Sequence, residues 1–350
     1  MVRENELKAP MWCTLPIVAP HQCFKILIYM FIFRGMGLAL STFVRSAAQT
    51  VTTLSRGTRM KLRKTVIAIG LASLGASVSL GVQADEEKSP HSVTGNLTLT
   101  TDYIVRGLSQ TGRKPAVQGT LEYGHASGLY AGTFWSNISF PGDFFGRAAP
   151  GVNGAVYGGN SDISASLEID LYGGFRNKIG EDLGYDVGYV YYYYPGRYKL
   201  DTGFTNGLKT PNTAEVYVAG SWKWITAKLY WAVTDGVFMI GDAKGTYYAD
   251  LSATYPIAEG INLVGHIGTW RFNGEMQAYK NLGLKNDVFN VVDWKVGATA
   301  DWGGITWGAY YWRSNAKETV TGTAPVAVWA DRFGEAVGDG QFFVTATKAF

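Results

Sequence analysis

The chain has 350 residues, 17% of them charged and 14% aromatic, with 44 Gly, 21 Tyr and a formal net charge of +3. That positive balance belongs to residues 1–84, which hold ten Lys/Arg and two Asp/Glu; the remainder carries 21 basic and 26 acidic residues, a net −5. The case for a nucleic-acid partner or an anionic membrane surface therefore falls away.

Residues 1–59 fit nothing downstream. The apolar run from Phe24 to Val44 is broken by Lys25 and Arg34, so it reads as an upstream extension from a mis-assigned start, with a genuine N-terminal anchor as the competing reading. A secretory signal follows at residues 60–84. Met60, Lys61, Arg63 and Lys64 form the basic region, Thr65 to Leu80 the apolar one, and Val82-Gln83-Ala84 the small-residue cleavage site. Cys13 and Cys23 leave with these segments, so residues 85–350 carry no disulfide and no thiolate chemistry.

Beyond the leader the dominant signal has a period of two. Between Ile163 and Phe175, one parity reads Ile163, Ala165, Leu167, Ile169, Leu171, Gly173, Phe175; the other reads Ser164, Ser166, Glu168, Asp170, Tyr172. A strand sends successive side chains to opposite faces, so one face is apolar and the other polar with two carboxylates. The length exceeds that of a common globular strand and suits a tilted bilayer crossing of about 9–11 residues. Leu167 and Ile169 are thus expected to face lipid, and Ser166 water.

Twelve such strands are expected, near 93–106, 116–124, 128–139, 162–174, 183–194, 213–222, 224–234, 246–256, 261–271, 288–302, 304–313 and 340–350. Ten or fourteen strands remain open. In the second, Val117, Gly119, Leu121 and Tyr123 oppose Gln118, Thr120 and Glu122; in the tenth, Val292, Trp294, Val296, Ala298 and Trp302 oppose Asp293, Lys295, Thr299 and Asp301. The connections alternate long and short along the chain, with short ones at 125–127, 222–224, 256–260 and 301–304. That sorting is the habit of outer-membrane barrels, whose periplasmic turns are short and whose extracellular loops are long. A Tyr-rich secreted β-sandwich is the alternative.

Aromatics gather at segment ends: Tyr191 to Tyr194, Trp222 and Trp224, Tyr247 and Tyr248, Trp307, Tyr310 to Trp312. They are expected to form interfacial girdles. The chain ends on Phe350, with Phe342, Val344 and Ala346 on the same parity. A terminal Phe on an amphipathic strand resembles the signal read by the outer-membrane assembly machinery, the expected partner here besides the lipids themselves.

Several ordered blocks resemble the TorF family of porins, the proteobacterial Gcw_chp group of outer-membrane proteins. They are Thr101 to Gln110 (TDYIVRGLSQ), Pro115 to Gly119, Gly128 to Gly132 with Trp135-Ser136-Asn137, Glu168 to Gly174, and Tyr193-Tyr194-Pro195-Gly196. The resemblance weakens across 235–335 and resumes at the last strand. It implies an outer-membrane barrel acting as a diffusion channel, and supplies no substrate or catalytic residue.

No compact catalytic or metal motif stands in the sequence, and no cofactor is expected. The leaderless chain has only His91, His125 and His266, without ligand spacing. His266 falls on the polar parity of its strand and is expected in the lumen; the glycine-rich stretch 151–159 reads as an outer loop. The fold class is therefore all-β, a transmembrane antiparallel up-and-down barrel of about 12 strands. The pore-lining candidates are Asp102, Arg106, Glu122, Glu168, Asp170, Asp186, Glu215, Lys228, Asp250, Asp293 and Lys295, with Phe350 as assembly signal. An acidic excess along a lumen favours cations, so a mildly cation-preferring path for small hydrophilic solutes is expected. Two alternatives stay open. One is a lipid-modifying enzyme, with His125 as candidate base; the other is a closed barrel acting through its outer loops.

Overall fold

The computed structural model describes residues 89–145, 161–200, 207–321 and 325–350. The upstream extension, the signal segment and the glycine-rich stretch 151–159 lie outside the described residues.

Twelve strands form a closed antiparallel barrel. In chain order they are β1 (His91–Thr100), β2 (Ala116–His125), β3 (Leu129–Asn137), β4 (Leu167–Ile179), β5 (Leu183–Tyr193) and β6 (Thr213–Trp222). Then come β7 (Ile225–Ala232), β8 (Tyr247–Ala258), β9 (Ile261–Arg271), β10 (Val291–Trp302), β11 (Ile305–Ser314) and β12 (Gln341–Ala349). Each strand pairs with its neighbours in sequence, and β12 closes onto β1 in a register that sets Asn96 opposite Ala349 and Thr100 opposite Thr345. Closure leaves no unpaired edge, the condition for a sheet to sit in lipid. Among the described helices, none is long and apolar enough to cross a membrane.

The alternation fixes the two faces. Leu97, Leu99, Val117, Leu121, Leu171, Val218, Leu251, Ile267 and Val296 are all exposed on the outside, Leu171 at 53%. Their in-between neighbours Thr98, Gln118, Thr120, Asp170, Ser252 and Asp293 are buried inside. A soluble monomer rarely shows a contiguous apolar surface beyond a few hundred Å²; here such residues come from strand after strand.

Five turns of two or three residues, between 126 and 304, lie at one end, and the connections 101–115, 138–166, 194–212, 233–246, 272–290 and 315–340 at the other. The expected sorting of connections holds. Two expectations need correction. The fourth strand starts at Leu167 rather than 162; Asp162–Ile163 instead pairs with Tyr198–Lys199 in a separate ribbon. Ser166, expected to face water inside the barrel, is exposed just before the strand, and Ala165, expected outward, is buried. The first strand likewise ends at Thr100, and residues beyond it turn inward.

The aromatics also divide by parity rather than forming girdles alone. Tyr193 and Tyr247 stack outward, on Tyr191 and Trp231 respectively. Tyr192, Tyr194, Tyr248 and Trp312 are buried inside.

Candidate functional site

The barrel interior is built from the polar parities. Every expected lining residue reaches it: Asp102, Arg106, Glu168, Asp170, Asp186, Glu215, Lys228, Asp250 and Asp293 are buried, and Glu122 and Lys295 are half-buried. They are not separate charges facing water, as a wide pore would have them. Most belong to three clusters.

The first cluster, on β2 to β7, joins Glu122 to Arg176 at 3.0 Å. The Arg176 guanidinium lies 3.5 Å from the centre of the Tyr130 ring. Tyr130 donates to Asp186 at 2.6 Å and also bonds the Tyr217 hydroxyl. Lys228 caps the Tyr217 and Tyr230 rings at 3.7 and 4.4 Å. A cation over an aromatic face is held by the ring quadrupole, so these tyrosines serve as counter-surfaces where carboxylates do not reach. Arg176 was missed in the sequence because the strand was expected to end at 174. Continuing the parity from Glu168 through Gly174 would have placed it inside.

The second cluster centres on His266. Its Nδ1 lies 2.6 Å from Asp250 Oδ2 and its Nε2 2.8 Å from Asp293 Oδ1. Both ring nitrogens therefore face carboxyl groups, one from each neighbouring strand. Tyr248 donates to Asp293 at 3.1 Å and Ser252 to Asp250 at 2.8 Å. Three adjacent strands, β8, β9 and β10, are thereby tied across their inner face.

The third cluster is supplied from a connection. Ile104–Val105 and Leu108–Ser109 pair in a short hairpin whose two turn residues, Arg106 and Gly107, both have positive φ, 48° and 77°. That is the turn whose twist matches a two-residue hairpin. Arg106 meets Glu215 of β6 through both terminal nitrogens, at 2.8 and 2.5 Å. Its guanidinium stands 4.8 to 5.5 Å from the ring centres of Tyr230, Phe238, Tyr248 and Trp270. The fork geometry and the surrounding rings suit arginine and would not suit lysine. Tyr103, at the base of the hairpin, donates to Glu168 at 3.0 Å. Asp170, next to Glu168 on the same face, has no hydrogen-bond partner for either oxygen.

Above these charges, at the end with the long connections, the interior is apolar. Phe140 and Phe144 of the short helix α1 (Phe140–Phe145) meet edge to face at 5.1 Å. Phe144 meets Trp329, which packs against Phe289 and Trp270. Trp329 also donates its indole N–H to the Phe289 carbonyl at 3.1 Å. Three connections and β9 thus contribute to one buried aromatic cap. Nothing in a loop sequence marks this, because loops carry no period.

Residues 84–350 match the family described as "Bacterial protein of unknown function (Gcw_chp)". The chain belongs to the Gcw_chp family. No curated relative matches it. Among solved structures, the Gcw_chp chain is similar to the KdgM porin, with 7% identity over 73% of this chain and 99% of that one and a TM-score of 0.38. It is also similar to the toluene transporter TodX of P. putida (10% identity, 75% and 91% covered, TM-score 0.40). The COG4313 outer membrane channel from Pseudomonas putida F1 is a third (10% identity, 77% and 100% covered, TM-score 0.36). Among the described residues of this Gcw_chp protein, no group of three or more His, Asp or Glu side chains is arranged to hold a metal ion.

Proposed function

We propose that this chain is an outer-membrane channel for small hydrophilic solutes or ions, with a mild preference for cations. The observation that carries the reading is a closed barrel with an apolar outside and a charged inside. Burying so many ionised groups is costly, and a barrel with a purely structural role has no need of them. Among the described residues, eight interior carboxylates face Arg106, Arg176, Lys228, His266 and Lys295, an acidic excess that supports the cation preference. The porin role implied by the TorF resemblance, export through the signal at 60–84 with cleavage near Ala84, and the reading of 1–59 as an upstream extension all belong to this proposal. The family match starting at residue 84 supports it.

The enzyme alternative has little support. Ser252 lies 3.2 Å from His266 Nδ1, but both ring nitrogens face carboxylates, so no lone pair is free to act as base. His125 ends β2 beside a short turn, bonded to Ser127 at 2.8 Å. A barrel acting through its outer loops is a second reading, and the aromatic cap is what favours it.

Recording from folded protein of residues 85–350 in planar bilayers, under a salt gradient, tests the proposal. Discrete openings with a cation-leaning reversal potential are expected. Silence from protein whose folding is verified by heat-modifiable gel migration would overturn the channel, and an anion-leaning potential would overturn the selectivity.

A further inference from the structure

The hairpin that carries Arg106 leaves the wall between β1 and β2, yet its tip touches the far side of the bore. Arg106 reaches Glu215 on β6 and the Tyr230, Tyr248 and Trp270 rings on β7, β8 and β9. A Cβ built on Gly107 would lie 2.4 Å from the Asp293 Cβ on β10 and 2.7 Å from the Ser314 Cβ on β11. The tip is therefore wedged against the β10–β11 wall with no room for a side chain, and from there the Arg106 side chain reaches across the bore to Glu215 on β6. We propose that this hairpin is the gate of the channel, latched shut by the Arg106–Glu215 pair.

Three features make it a latch rather than permanent packing. The hairpin has only two short rungs, between Ile104 and Ser109 and between Val105 and Leu108, so it is a small element that can leave without disturbing the barrel register. Its ionic hold on the far wall is one bidentate pair, with side chains 5% and 0% exposed, joined by a longer bond from Arg106 to the Tyr192 hydroxyl at 3.4 Å. Such a pair is strong when intact and costly when one partner is lost. Its tip sits in a left-handed turn that a non-glycine residue such as Arg106 rarely adopts, so the closed position is held by contacts and not by local preference alone. The aromatic rings around the guanidinium exclude water from the pair. A gate of this kind depends on the channel reading.

The test uses Glu215→Gln, which keeps the side-chain shape, in protein of residues 85–350 folded in detergent. Two readouts are taken. Trypsin followed by mass spectrometry reports whether the Arg106–Gly107 bond is cut, since Arg106 is only 8% exposed in the closed state. Bilayer recording reports open probability. Expected are cleavage after Arg106 in Glu215→Gln alone, and an open probability at least about tenfold above wild type, the scale on which losing one buried partner acts. Arg106→Ala is expected to raise open probability similarly, and serves if Glu215→Gln does not fold. Equal conductance in all three proteins with Arg106 uncut in Glu215→Gln overturns the gate and leaves the channel standing. Cleavage after Arg106 with no current from any of them overturns the channel, and the gate with it.

Discussion

Gly95 and Phe350 exchange both backbone hydrogen bonds, each at 3.0 Å, where the last residue of the chain meets the first strand. The Phe350 ring lies outward, 74% exposed, and its Cε2 would come within 2.7 Å of any Cβ at position 95. Glycine at 95 therefore gives the terminal ring a flat seat on the outer wall. In the folded barrel this contact amounts to two hydrogen bonds at a strand end, about 1–2 kcal/mol. Deleting Phe350 should then change urea stability of detergent-folded protein only by that amount. If the residue is also the assembly signal, insertion in cells should fall far more steeply. Matching losses in both assays would mean Phe350 acts only through the seam.

The outer face makes its own prediction. Leu171, in the interior of β4, points outward at 53% exposure, while Leu183 opens β5 at the end bearing the short turns. Arginine at Leu171 should cost about 2–4 kcal/mol in lipid, and at Leu183 about 0–1, because the penalty falls toward the interface. Equilibrium unfolding in bilayers measures both. Equal costs at the two sites would contradict an apolar belt centred between the barrel ends.

These two predictions rest on what was legible in the sequence, and the reason is physical. Val117 to Tyr123 alternate because lipid and lumen impose opposite demands on adjacent residues, and that demand is local. The hairpin at Arg106 was hidden by the same rule. Asp102 and Arg106 continue the polar parity of β1, so the chain reads as one strand where it in fact turns inward after Thr100. Arg106-Gly107 between Val105 and Leu108 was the available clue, since glycine suits the second left-handed position. The pairing of interior charges was beyond reach, because His266 finds Asp250 and Asp293 only through the register of β8, β9 and β10.

That register makes His266 a test of the interior. Replacing it with leucine leaves Asp250 and Asp293 buried without their shared partner, and Ser252 and Tyr248 cannot satisfy two carboxyl groups. A loss of about 3–5 kcal/mol is expected. Adding Asp250→Asn and Asp293→Asn to His266→Leu should recover part of it, since neither carboxylate then remains buried without its partner. Should the triple variant be as unstable as the single one, the ring is a packing element and its charge is incidental.

Asp102 gives the fold a pH dependence outside the barrel wall. Burial pushes its carboxyl from 3.8 up to about 6, although Ser109, Thr111 and the backbone of Tyr103 donate to it and Arg113 lies nearby. Ser109 donates at 2.7 Å and Thr111 at 2.9 Å, and Gln341 of β12 also bonds it. The folded chain thus keeps this proton at pH values where the unfolded chain has lost it. The resulting stability is full below about 4 and lost as pH rises through about 6, at most about 3 kcal/mol. Because Asp102 ties the base of the hairpin to Ser109, Thr111 and β12, the loss should register there first. Amide hydrogen exchange of residues 104–109, corrected for intrinsic rates, should speed up between pH 5 and pH 7, while the strand amides of β8 and β9 stay unchanged. Asp102→Asn has no proton to lose and should flatten the response. An identical pH profile in that variant would place the titrating group elsewhere.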